Sequence, residues 1–300
     1  MLREITMVRQ YGRLTLHVVV LFSLLAGCRP DESPPPVRFV EARGDSYAAK
    51  VDFAQLEHDL PLRPEDLKKI TPDNLKAATQ EQVDQIYARL TAGPIPDGPY
   101  DGGAFFPAGS TGQARLAEIL GGGLKGRLVN FKTAKLEKIA EAVWKGKVFY
   151  REPRVLRNRI TDLAVVERLL ADGHAPIGKI EVDGKDAWLL FPAKLYCGQS
   201  LLDGRRESVI IDYAFTDDID GYRDMPDALA GRDGLEIRDE IRMVRPGFYL
   251  GRAYMKKVFV LNFTLYNKDV AASSGEAFQK SGKTDEDCWV GTQRMTAMAH

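Results

Sequence analysis

Three rhythms of apolar and polar residues succeed one another along the chain. Residues 14–26 are apolar apart from Thr15, His17 and Ser23, without any period. From 64 to 92 the apolar positions recur at helical spacing. Val83, Ile86, Tyr87 and Leu90 share a face, Thr79 and Gln82 form a capping-box pair ahead of them, and Gly93-Pro94 supplies a stop. Thr71-Pro72 opens a shorter helix in the same way. The stretch AGPIPDGPYDGGAFFP, residues 92–107, is so rich in Pro, Gly and Asp that it reads as a loop of tight turns. Helices are expected again over 111–120 and 131–143, on either side of Gly121-Gly122-Gly123.

After residue 143 the period falls to two. VWKGKVFY, RVLRNRI, DAWLLFPAKLYC, ESVIIDYAF, GLEIRDEIRMV, GFYLGRAYM and KVFVLNFTLY are β-branched and aromatic runs bounded by Gly, Pro and Asp, with one short helical interval near 162–170. In 258–266, Phe259, Leu261, Phe263 and Leu265 fall on one face and Val258, Val260, Asn262, Thr264 and Tyr266 on the other. The expected fold class is α+β: a mainly helical region over 41–143, then an antiparallel β-barrel or sandwich over 144–300.

The first rhythm concerns location. Arg3, Arg9 and Arg13 precede the apolar run, which is too short to span a bilayer comfortably and ends in Leu25-Ala26-Gly27-Cys28. This segment resembles the lipobox of bacterial lipoproteins. The resemblance implies a signal peptide over 1–27, a diacylglycerol on the Cys28 sulfur, and Cys28 as the first mature residue. Residues 28–40, with Pro30, Pro34, Pro35 and Pro36, read as an extended tether. The protein is accordingly expected in the cell envelope, partnered with the membrane through its anchor. Arg29 after the anchor, by resemblance to the sorting rule of enteric bacteria, points to the outer membrane, facing the periplasm.

Charge excludes a further class. Removal of 1–27 takes three Arg and one Glu from a balance of 42 basic and 42 acidic residues, leaving 39 against 41. A nucleic-acid partner, which calls for a basic excess, is therefore not expected. Of three cysteines, Cys28 is assigned to the anchor, which leaves Cys197 and Cys288. In an oxidising compartment these are expected to pair, closing a loop of some ninety residues.

Catalytic and metal motifs are sparse, and none calls for a cofactor. The expected mature chain has only His58, His174 and His300, and CGQSLL lacks the second glycine of a nucleophile elbow, so a Ser200–His174 pair is the one nucleophilic arrangement left open. TDDIDGYRDMPD, residues 216–227, matches part of a calcium-loop template but has Thr216 first and Asp227 last, so no metal is expected there. GGGLKG lacks the strand and spacing of a phosphate loop.

More informative are polar residues on apolar faces. Asp239 alternates with Leu235, Ile237, Ile241 and Met243; Asp212 lies beside Ile210; Arg252 shares a face with Phe248, Leu250 and Tyr254. With the turn at Pro246-Gly247, Asp239 falls opposite about residue 253, so an Asp239–Arg252 pair is expected. Such groups fit either a mostly apolar ligand pocket or an internal pair that fixes register. The sequence AVWKGKVFY, followed by LRNRI, is similar to the opening strands of lipocalin-like barrels with a Gly-x-Trp-x-Gly signature, although Ala142 replaces the first Gly. That resemblance implies a barrel around an apolar ligand, with Trp144 closing one end. Candidate ligand-binding residues are thus Trp144, Asp212, Tyr213, Asp239, Tyr249 and Arg252. The expected function is binding of an apolar or amphiphilic small molecule. The alternatives are a hydrolase or isomerase of a lipid-like substrate with Asp239 or Asp212 as base, and an envelope-assembly lipoprotein docking through surface aromatics.

Overall fold

The computed structural model describes residues 33–41, 50–106, 144–162, 177–182 and 184–292. The chain divides into two compact units, Met1–Ser33 and Pro34–His300, and every element below belongs to the second. The lipobox and the helices expected over 111–120, 131–143 and 162–170 lie outside the described residues. Among the described residues no helix is long and apolar enough to cross a membrane.

Four short helices come first: α1 (Phe53–Asp59), α2 (Pro64–Lys69), α3 (Pro72–Ala77) and α4 (Gln80–Arg89). Asp52 caps α1 by accepting from the amides of Ala54 and Gln55. Thr71 with Asn74, and Thr79 with Gln82, form reciprocal capping boxes at α3 and α4. The second of these is the pair expected from sequence. Helix α4 buries Val83, Ile86 and Tyr87 completely.

The strands are β1 (Gly98–Phe105), β2 (Trp144–Tyr150), β3 (Val155–Ile160), β4 (Lys179–Val182), β5 (Lys185–Gln199), β6 (Glu207–Asp212), β7 (Ile237–Arg245), β8 (Phe248–Met255) and β9 (Val258–Tyr266). They run β3-β2-β1-β9-β8-β7-β6-β5, and β3 pairs with β5, so eight strands close into an antiparallel barrel; β4 only extends the hairpin at β5. Apart from that hairpin, each strand pairs with its neighbour in sequence and β9 returns to β1. Closure leaves no edge among the eight.

β1 corrects the sequence reading, which made 92–107 a loop of turns. Gly102 serves close packing rather than a turn: a Cβ there would overlap the Trp144 ring. The barrel therefore starts at residue 98, and Trp144 sits on the second strand, not the opening one. The seven expected strands are all present.

The register separates inside from outside. Asp239 pairs with Ala253 and Ile211, Ile241 with Gly251 and Val209, Lys147 with Tyr100 and Asn158; with Phe263 and Leu265, these face the interior. Phe263 lies where a Cβ on Gly251 would be, so the lumen is packed at that level. The alternate positions Ser208, Arg242 and Arg252 face outward, beneath α4, and Glu240, of the same parity, accepts from Ser200 and the Leu201 amide. The expected Asp239–Arg252 pair is corrected on this point. Asp239 does stand opposite residue 253, but Glu240 is the partner of Arg252, and one position along a strand is the other face of the sheet.

After β9, Asn267 caps α6 (Lys268–Ser281), which ends in left-handed Gly282; a short α5 (Asp224–Asp227) precedes β7. The C-terminal segment then laces one end of the barrel. Glu286 accepts from Thr91 Oγ1 and the Gly93 amide, Asp287 accepts from the Ile95 amide and both its oxygens bind Arg151, and Cys288 is joined to Cys197. The disulfide pairing is as expected, with Cα atoms 5.3 Å apart.

Candidate functional site

Inside the barrel a single ammonium organises the polar groups. Lys147 Nζ donates to Asn158 Oδ1 at 2.9 Å, to the Tyr213 hydroxyl at 2.7 Å and to Asp239 Oδ2 at 3.0 Å. Trp144, Tyr213 and Phe263 present ring centroids 5.4–5.5 Å from the same nitrogen. Three donors meet three acceptors, so the ammonium is saturated. Trp144 Nε1 donates to Asn158 Oδ1 at 2.9 Å, Asn158 Nδ2 donates to Phe191 O, and Tyr213 donates to Asp239 at 3.4 Å.

Burial alone pushes Lys147 down, yet Tyr213 and Asp239 more than offset it and hold the ammonium above its ordinary value. Burial also drives the Tyr213 phenol up to about 12, against the pull of Lys147. At neutral pH the cluster therefore holds a protonated lysine, paired with Asp239, and a neutral phenol. Asp239, one of the two expected bases, is paired with Lys147 at 3.0 Å.

Of the candidate residues, Trp144, Tyr213 and Asp239 meet in this cluster. The others lie elsewhere. Asp212 faces outward, accepting from Tyr196 Oη at 2.7 Å and from the Ala214 amide. Arg252 faces outward too, paired with Asp84 and stacked on Phe259 at 4.2 Å. Tyr249 is interior but near one end, its hydroxyl on Pro94 O and its ring edge-on to Tyr100. Lys147 and Asn158 went unremarked in the sequence. The signal was there: Asn158 alternates with Leu156 and Ile160, and Lys147 shares its face with Phe149, the same test that singled out Asp239.

The remaining motifs resolve into structural contacts. Ser200 Oγ donates to Glu240 at 3.0 Å, while His174 lies outside the described residues. In 216–227 the carboxylates diverge: Asp218 pairs with Lys194, and Asp227 accepts the amides of Phe191 and Arg223.

A cleft of about 360 Å³ opens outside the lumen. Leu62, Leu67, Leu90, Met243, Val244 and Phe278 form its apolar wall, and Thr91, Lys283, Thr284 and Glu286 its polar one. None of these residues belongs to the Lys147 cluster. Its volume falls at the low end of the ~300–1,000 Å³ usual for small-molecule sites, and its composition fits one.

Family models, curated proteins and solved structures offer no match to this chain. The class of protein defined by the geometry is a closed, eight-stranded antiparallel barrel with a charged, helix-covered flank.

Proposed function

We propose that this protein is a lipoprotein of the cell envelope, lipocalin-like in build, that holds an apolar or amphiphilic small molecule in the cleft between α2, α6 and residues 283–286. One observation carries the binding reading: an apolar wall and a polar one converge on a ligand-sized space. In a lipocalin-like protein the ligand lies within the barrel, whereas here the lumen is occupied by Lys147 and its partners. The ligand is therefore assigned to the end of the barrel. The anchor rests on LAGC and the tether on the prolines after it, up to Pro34; from Pro35 the chain is docked on the body, where Val40 exchanges hydrogen bonds with Gln85 and Arg38 O accepts from Arg89. Two or more acyl chains give stable attachment where one gives only marginal binding.

Each half has its own test. Cys28→Ala removes the only acceptor for diacylglycerol, and the variant should leave the membrane fraction; lipid labelling equal to wild type defeats the anchor. Thr284→Trp places an indole in the cleft without touching the apolar wall. A fluorescent long-chain amphiphile should bind the wild-type protein and lose at least tenfold in affinity to the variant, and equal affinity defeats the cleft.

A further inference from the structure

The disulfide has a neighbour that its structural role does not explain. By the parity of β6, Glu207 shares the inward face of Val209, the partner of Cys197. An oxygen of Glu207 and the two sulfurs all lie within 4.8 Å of one another. Cys288 is buried, and Cys197 and Glu207 are half-buried. Glu207 Oε2 accepts the Trp289 amide at 2.8 Å, and the Glu207 amide donates to Trp289 O at 3.0 Å. Among the described residues no lysine or arginine pairs with this carboxylate. The carboxylate oxygen, oriented by one amide, thus stands beside two sulfurs that are bonded to each other here.

We propose that reduction of the disulfide converts Cys197, Cys288 and Glu207 into a site for a thiophilic divalent cation such as zinc. Two electrons and two protons from a dithiol cleave the Sγ–Sγ bond, leaving two thiols on this chain and a disulfide on the reductant. The cation then displaces both thiol protons to solvent and binds two thiolates and one carboxylate oxygen, with water in the fourth position of a tetrahedron. With metal–sulfur distances of about 2.3 Å the sulfurs stand roughly 3.8 Å apart, a separation that side-chain rotation reaches from Cα atoms 5.3 Å apart. The Trp289 amide keeps the carboxylate aimed, the part that outer-shell partners play in metal sites. Soft sulfur ligands favour zinc over calcium or magnesium.

The test uses Co²⁺ and Zn²⁺ on the full-length protein in detergent. After reduction by a phosphine and its removal under argon, Co²⁺ should give thiolate-to-cobalt absorption saturating at one ion per chain, with Zn²⁺ displacing it. The oxidised protein should give none. Glu207→Ala should weaken Co²⁺ at least tenfold while keeping the thiolate band, and Cys197→Ser should abolish that band. Near-ultraviolet circular dichroism reports whether the reduced barrel is intact. The proposal is overturned if the reduced, folded protein shows no thiolate–cobalt band, if Glu207→Ala binds as tightly as wild type, or if reduction unfolds the barrel, because Glu207 is then no longer beside the sulfurs.

Discussion

Buried charge occurs in two places in this molecule, and the two are built differently. Within the lumen, Lys147 and Asp239 form a compact pair whose other bonds go to side chains, Asn158 and Tyr213. Between the barrel wall and the helices lies an arginine layer. Arg242 Nη1 donates to Asp203 Oδ2 and Tyr87 O, Nη2 donates to Asp203 O and Arg206 O, and Nε donates to Ser208. Arg206 pairs with Glu57 of α1, Arg252 pairs with Asp84 of α4, and Arg245 donates to the carbonyls of Leu67 and Ile70 at the end of α2. In the lumen the charges bind each other and neutral side chains. The outer layer uses planar guanidinium forks to reach several backbone carbonyls at helix ends and turns at once, with a spread that the single nitrogen of a lysine does not have.

The largest effects should come from breaking either pair. Asp239→Ala strands the Lys147 ammonium, and Arg242→Ala leaves Asp203 with Arg205 alone and takes the guanidinium donor from the Asp203 and Arg206 carbonyls. Each should lower unfolding free energy by about 3–5 kcal/mol in denaturant titration. Removing both partners then separates the regions. Lys147→Met with Asp239→Leu should recover most of the loss, since an apolar replacement for a buried pair is often neutral. Arg242→Met with Asp203→Leu should stay destabilised, because each orphaned carbonyl costs about 1–3 kcal/mol. Equal recovery in the two double variants would erase the distinction.

A smaller effect tests packing in the lumen. Gly251→Ala must displace the Phe263 ring, and overpacking of this kind costs about 1–3 kcal/mol by thermal or chemical unfolding. An unchanged midpoint would mean that the lumen is roomier than described, and would return the ligand to the barrel interior.

The smallest effects are in pH dependence, where the regions should respond at opposite ends. Burial raises Asp203, but Arg205 and Arg242 more than reverse this and hold its carboxyl below the ordinary value. Its contribution is thus present above the unfolded-state value and is lost as pH falls through the lower, folded one. Asp203→Asn should flatten the acid limb of a stability profile. In the lumen the sign is reversed. The Tyr213 phenol is raised from an ordinary value near 10 to about 12, so its contribution is intact below 10 and is lost as pH rises towards 12. Lys147, also raised, acts in the same direction. Tyr213→Phe should flatten the alkaline limb and leave the acid limb alone.

Local chemistry made much of the fold legible in the sequence. The capping box at Thr79, the stop at Gly93-Pro94 and the seven alternating runs depend on residues within a few positions of one another, and they stand where the patterns put them. Segment 98–105 escaped because its glycines look like turn residues; the role of Gly102, room for the Trp144 ring, is set by a strand more than forty positions away. In the site, alternation correctly marked Asp239, a polar residue that faces inward. It could not name the partner, since Lys147 is 92 positions away and meets it only when the sheet closes.

By itself, then, the sequence determined the β-strands and the pair of cysteines left for a disulfide, both of them properties of short segments or of counting. Only the tertiary structure decided which face of each strand looks inward. Side-chain direction reverses at every residue, so Arg252, one position from the predicted register, lies outside against Asp84 and Phe259 while Asp239 lies inside against Lys147.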